Sequence, residues 1–223
     1  VGTVTDTLSA GAFSLPAGQY KQALIMRVDS NGAVRWIRTG AAGANSHDGT
    51  AVNSACTDDQ NRLYFCGGSV DTLSFGGIRL GTPMQSSSMP FVASYDSTGK
   101  AQWARSYTQL GSVASSVRFA QKTLYLTSPS ALAMKLELTG TMDRLLLNNG
   151  GTIGAEGLAT DGIGNIYLSG TLANINLNVG NVKVNSVGVS CFILKLDSSF
   201  RPLWYDVTNN GTVSHLSLIH ISE

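Results

Sequence analysis

Apolar residues along this chain fall into short runs of two recurring kinds. In one kind the apolar positions are consecutive, as in Leu24-Ile25-Met26 and Phe192-Ile193-Leu194. Such runs predict central strands covered on both faces. In the other kind apolar and polar positions alternate, as over residues 71–80 and 174–184, which predicts projecting hairpins. Gly, Ser, Thr and Asn recur between the runs, and no stretch combines a helical period with start and stop signals. The pattern predicts an all-β chain of many strands and tight turns.

The runs sit in a repeated frame. One phrase occurs four times, over residues 26–36, 93–103, 134–144 and 194–204. Each copy has an apolar strand, an acidic residue (Asp29, Asp96, Glu137, Asp197), a turn, and a second strand carrying Trp36, Trp103, Arg144 or Trp204. Tyr64, Tyr125 and Tyr167 form a second column upstream, each following turn-rich residues. Recurrence at this scale predicts stacked supersecondary modules. A full unit reads as four strands: an inner strand A (such as residues 50–56), strand B with the Tyr, strand C ending at the acidic residue, and strand D with the Trp.

The Asp-x-x-Gly turn has a direct cause. Asp at its start accepts backbone N–H groups, and Gly fills the position where φ must be positive. Gly32, Gly99 and Gly140 occupy that slot, while Phe200 replaces Gly in the fourth unit and predicts a reshaped turn. A Trp buried between adjacent sheets covers roughly 200 Å². At about 25 cal/mol/Å² that is several kcal/mol at most, so the repeated aromatic reads as a packing residue.

The units differ by an insertion between strands B and C. It is present over residues 71–80 and 174–184, has a copy at 6–15, and is missing from the third unit. Four-stranded sheets in tandem are the module of a β-propeller. The expected fold is therefore an incomplete β-propeller of about three to four antiparallel blades. It covers residues 1–214, with blade remnants at 1–39, 49–107, 112–148 and 152–208.

Residues 161–170 (Asp-Gly-Ile-Gly-Asn-Ile-Tyr-Leu-Ser-Gly) and 192–197 (Phe-Ile-Leu-Lys-Leu-Asp) resemble the bacterial β-propeller repeat usually called SBBP. Its pattern runs Asp-x-x-Gly-Asn-x-Tyr, a Phe-Gly hairpin, Phe-Val-x-Lys-Leu-Asp, then Gly-x-x-x-Trp. The resemblance spans roughly residues 2–214 and lies in the fixed order of the motifs rather than in any single one. The third unit departs most. The resemblance implies a secreted or cell-surface bacterial protein with a non-catalytic scaffold or interaction role, no shared catalytic residues, and further blades in the full-length protein.

Composition narrows the reading. Charged residues are 13% of 223 and the net charge is +1, which gives no polybasic nucleic-acid surface. No apolar run approaches the roughly 20 residues that span a bilayer. The three cysteines, Cys56, Cys66 and Cys191, form neither a CxxC pair nor a disulfide framework and read as buried apolar fillers. The closing residues 217–223 resemble a translated sequencing-adapter read-through, as found at the ends of metagenomic fragments, or else an ordinary strand. On the first reading residues 215–223 are a non-native tail.

Candidate chemistry is sparse. Arg27, Lys135 and Lys195 share one strand-C position and could ring an anion or acidic glycan, or else serve as ion-pair partners and snorkelling stems. Ser94 breaks the column. His47, His215 and His220 have no metal-ligand spacing, and no nucleophile elbow stands out. Residues 161–165 read as a β-turn rather than a calcium loop, and 210–212 are a glycosylation acceptor only in a eukaryote. No catalytic, cofactor or metal residue is expected.

Connections A–B and C–D are short and share one end of each sheet. The long segments 40–48, 81–89 and 174–185 gather on the B–C/D–A end, where a protein or glycan partner is expected. The rival reading is an enzyme. Residues 93–103 resemble the Trp-docking repeat of pyrroloquinoline-quinone dehydrogenases, with one extra residue before the Asp, which would imply the quinone and calcium. An envelope assembly scaffold is a related non-enzymatic reading.

Overall fold

The computed structural model describes residues 1–17, 21–42, 50–81, 88–111, 113–147, 152–173, 176–179, 182–185 and 188–208. It is all-β: several four-stranded antiparallel sheets, consistent with propeller blades. The chain divides into two compact units, residues 1–108 with 112–114, and residues 109–111 with 115–223. Apart from a 3-10 turn at Thr108–Leu110, the described secondary structure is strands.

The first unit holds two sheets. One is built from β1 (Gly2–Val4), β4 (Gln22–Val28) and β5 (Val34–Ala42), with β2 (Leu8–Ala10) and β3 (Phe13–Leu15) forming a separate hairpin. The other runs β6 (Thr50–Thr57), β7 (Leu63–Ser69), β10 (Met89–Tyr95) and β11 (Ala101–Ser106), in the spatial order β11-β10-β7-β6. This is the A-to-D meander that the repeat predicts, and β10, its strand C, is buried along its whole length.

The insert between strands B and C of the second sheet does more than project. Its strands β8 (Leu73–Phe75) and β9 (Ile78–Leu80) join the preceding sheet, pairing Ala41 with Ser74 and Ala42 with Leu73. Leu73 and Phe75 are fully buried with Phe65, Phe91 and Tyr95 on one side and Ala23 and Ile25 on the other. Phe75 lies edge-on to Phe65 at 5.2 Å between ring centroids. The alternation of residues 71–80 thus serves a core between two sheets, because apolar side chains on one hairpin face stabilise it only when covered.

The second unit repeats the plan. One sheet is the direct meander β12 (Ser116–Ala120), β13 (Thr123–Thr127), β14 (Ala131–Leu136) and β15 (Met142–Leu147). The other runs β16 (Thr152–Thr160), β17 (Ile166–Ala173), β20 (Val189–Leu196) and β21 (Pro202–Thr208). Its insert, β18 (Asn176–Val179) and β19 (Val182–Asn185), is a two-stranded sheet of its own. Tyr125, Leu132 and Ala133 of the first sheet share a core with Leu168, Phe192, Leu194, Leu196 and Phe200 of the second.

Two glycines carry a packing constraint that recurs between units. Strand A bulges at Val52/Ser54 in one sheet and at Ala155/Gly157 in another. Each bulge pushes a carbonyl against strand B. A Cβ on Gly67 would stand 1.9 Å from Ala51 O, and one on Gly170 1.7 Å from Gly154 O. The β12–β13 pairing keeps its register without a shift, and Ser128 follows it.

Candidate functional site

Six turns share one hydrogen-bonded form. The residue three after the acidic one donates its N–H to the acidic residue's carbonyl at 2.9–3.1 Å: Gly32 to Asp29, Asn61 to Asp58, Gly99 to Asp96, Gly140 to Glu137, Gly164 to Asp161 and Phe200 to Asp197. All six of those residues have positive φ, from 56° at Asn61 to 89° at Gly164. The expected reshaping at Phe200 does not occur. Phe200 takes φ 62°, Ser199 and Arg201 donate to Asp197 Oδ1 at 2.8 and 2.9 Å, and the ring is buried 6.3 Å from Tyr125. Packing of the ring outweighs a backbone cost of roughly 1–2 kcal/mol for a side chain in the left-handed region.

Two of the A–B turns tie a carboxylate to the Tyr column. Asp58 accepts from the Gln60 and Arg62 N–H groups, from Arg62 Nε at 2.6 Å and from the Tyr64 hydroxyl at 3.1 Å. Burial alone would raise its pKa, but the Arg62 N–H and guanidinium together hold it below the usual Asp value. Burial pushes Tyr64 up to about 12, with the Asp58 charge adding to the effect. Asp161 repeats the arrangement, accepting from the Asn165 side chain at 2.7 Å and from Tyr167 at 3.3 Å. Desolvation opposes ionisation there too, and the Asn165 hydrogen bonds overcome it. These are structural acids, with their lone pairs directed into the turn.

The cations of the strand-C column are each engaged locally. Arg27 Nη1 donates to Ser97 O in the next sheet of its unit. Lys135 pairs with Asp143 at 3.0 Å on the neighbouring strand. Lys195 lies 3.7 Å from Asp161 and 4.8 Å over the Tyr167 ring. The two lysines are therefore bound within their own sheets, and only Arg27 bridges sheets. Cys56, Cys66 and Cys191 carry thiols rather than disulfides, with Cys66 and Cys191 buried and Cys56 half-buried.

The joint between sheets is built from the Trp column. In the first unit Trp36 is 7% exposed, stacks on Tyr95 at 6.3 Å and donates Nε1 to Ser97 O at 3.1 Å. A Cβ on Gly99 would sit 2.8 Å from the indole, so that turn needs glycine for close approach as well as for φ. In the second unit Arg144 stands where Trp would, and its Nη1 donates to Ser199 O at 2.6 Å. Phe200, in the glycine slot, supplies the aromatic surface from the opposite side. Sequence reading missed this exchange, although the simultaneous loss of Trp at 144 and Gly at 200 was its visible signal. Trp103 and Trp204 each pack on the Tyr of their own sheet, Tyr64 at 6.1 Å and Tyr167 at 6.3 Å, and Trp204 remains 44% exposed.

At the opposite, B–C end, connections vary. In one sheet Ser128 to Ser130 suffices, with Ser128 Oγ accepting the Ala131 N–H at 2.8 Å. In another, Thr50, Ser69, Asp71 and Thr72 form a buried polar cluster, where the Thr50 and Ser69 hydroxyls meet at 3.2 Å. Residues 43–49 with His47, residues 82–87, the glycosylation acceptor at 210–212, His215, His220 and the 215–223 tail lie outside the described residues. Among the described residues no three of His, Cys, Asp and Glu gather as metal ligands, and no helix is long and apolar enough to cross a membrane.

No protein-family model matches the chain, and no curated protein matches it.

Proposed function

We propose that this chain is a non-catalytic β-propeller module that acts outside the cell or at its surface as a scaffold for protein or glycan partners, bound through the B–C/D–A loops. One observation carries the reading. The six acidic turns keep a single geometry while the B–C connection changes from Ser128–Ser130 to whole hairpins. Near-constancy at one end, where among the described residues only the β12–β13 turn at Gln121–Lys122 departs, with variation at the other is how a rigid frame presents recognition loops. The SBBP-like order of motifs supports the same conclusion and implies further blades as partners.

The test is to replace residues 82–88 with a short Ser-Pro-Ser connection like that at 128–130 and to screen both proteins on a glycan array and against bacterial surface proteins. Binding should be lost from the variant while its circular dichroism is kept. Equal binding by a folded variant would refute the assignment of the face. A second reading has one observation in its favour: Trp36 seats over the next Asp-x-x-Gly turn, the contact that a quinoprotein docking repeat implies. Titration with pyrroloquinoline quinone and calcium separates the two, since a saturable absorbance change with dye reduction would establish the enzyme.

A further inference from the structure

The joint inside the first unit has three parts. Trp36 lies over Gly99 and against Tyr95. Its Nε1 and Arg27 donate to Ser97 O. Beyond the indole, hairpin β8–β9 extends β5 and buries Leu73 and Phe75.

The chain carries each part of a second such joint, unfilled. On β21, Trp204 pairs in register with Lys195 as Trp36 does with Arg27, yet Trp204 is 44% exposed where Trp36 is 7%. On β4, Val28 holds the place of Tyr95 and is 45% exposed, next to Met26 at 37%. The turn that follows exposes Ser30, Asn31 and Gly32, and a Cβ on Gly32 would meet nothing within 4 Å. Hairpin β2–β3 repeats β8–β9 position by position, Leu8 for Leu73 and Leu15 for Leu80, with the same Asp-Thr-Leu-Ser start. Its apolar side chains are only half-buried. Among the described residues β21 is an edge strand, the usual template for strand addition.

We propose that two copies of this chain join head to tail, the Trp204 face of one receiving the Val28 face, the Asp29–Gly32 turn and the β2–β3 hairpin of the other. The match is chemical as well as geometric. The indole N–H of Trp204 meets the Ser30 carbonyl as that of Trp36 meets Ser97 O, while Lys195 stays on Asp161 and Asp29 on Arg35. The contact is heterologous, so each copy keeps one open end and assembly proceeds to a ring or a chain. Nothing in this depends on what the loops bind.

Sedimentation velocity over a concentration series tests it. The intact chain should form species larger than a monomer as concentration rises. Trp204→Glu spoils one half of the joint and Gly32→Phe the other, and each alone should weaken association at least about tenfold. Both positions are exposed. A side chain at Gly32 adds left-handed backbone strain, but Phe200 already occupies the same turn position, so circular dichroism should show both variants folded. Mixing the two variants restores one intact joint and should give a dimer that neither forms alone. A monomer at every concentration would overturn the proposal. So would variants that still associate, or a mixture that yields no dimer.

Discussion

The substitution Phe200→Gly sets two effects against each other at one residue. Glycine relieves the left-handed backbone, worth roughly 1–2 kcal/mol, but adds unfolded-chain entropy of roughly 0.5–1 kcal/mol. The net relief is therefore between nothing and about 1.5 kcal/mol. Against it stands the loss of a ring that is 6% exposed and packed on Tyr125, which by analogy with buried Phe truncations costs about 3–5 kcal/mol. The expected outcome is a net loss of about 1.5–5 kcal/mol, with Phe200→Ala worse still because it keeps the strain and loses the ring. Urea unfolding followed by circular dichroism and by tryptophan fluorescence measures both variants. Adding Arg144→Trp to Phe200→Gly rebuilds the Trp36–Gly99 arrangement. The pair should then be more stable than the sum of its single variants by at least about 1 kcal/mol in a double-mutant cycle. A neutral or stabilising Phe200→Gly, or an additive cycle, would refute the claim that the ring replaces the missing indole.

Three other outcomes follow from the geometry. Gly67→Ala and Gly170→Ala put a methyl group within 2 Å of a backbone carbonyl, and each should cost about 3 kcal/mol or more in a denaturant melt, whereas Gly2→Ala, where a Cβ meets nothing within 4 Å, should be close to neutral. Asp58 is held below its usual pKa. Its contribution is therefore full above the unfolded value near pH 4 and is lost as pH falls through the lower native value, because the unfolded chain then binds the proton first. Asp58→Asn should cost about 2 kcal/mol at neutral pH and flatten the acid limb of a stability profile. Tyr64 and Tyr95 are pushed up to about 12 by burial. Stability should hold up to about pH 10 and fall as pH rises towards 12, with tyrosinate absorbance appearing late and together with unfolding.

Much of the fold was legible because its signals are local and repeated. The acidic residue, the positive-φ position three later and the alternation along each strand all act within a few residues, so tandem copies reinforce one another. The Tyr column was visible for the same reason, as Asp58 and Tyr64 are joined by a single hydrogen bond across one turn. Legibility fell where the cause lay in another sheet. Residues 71–80 read as a projection because nothing within them says that Ala41 and Ala42 offer an edge to pair with. Gly67 and Gly170 gave no separate signal, since the carbonyl that forbids a side chain there comes from a bulge on the neighbouring strand. The column of Arg27, Lys135 and Lys195 looked like one set, but its members turn to Ser97, Asp143 and Asp161 respectively.

The joints follow from one steric condition. At the two joints described, one aromatic ring occupies the positive-φ position of a C–D turn, and there is room for one ring. Where strand D supplies it, as Trp36 does, the turn must have glycine, because even a Cβ on Gly99 comes within 2.8 Å of the indole. Where the turn supplies it, as Phe200 does, strand D must give up its indole, and Arg144 keeps only the donor to the Ser199 carbonyl. The two solutions are mutually exclusive, so a Trp strand cannot seat on a Phe turn. Repeats that share one turn geometry thereby become distinct at their faces, and that distinction opposes misregistered pairing between similar modules. Trp204 accordingly requires a glycine turn, and the exposed turn ending at Gly32 meets that requirement, while the one ending at Phe200 would reject it.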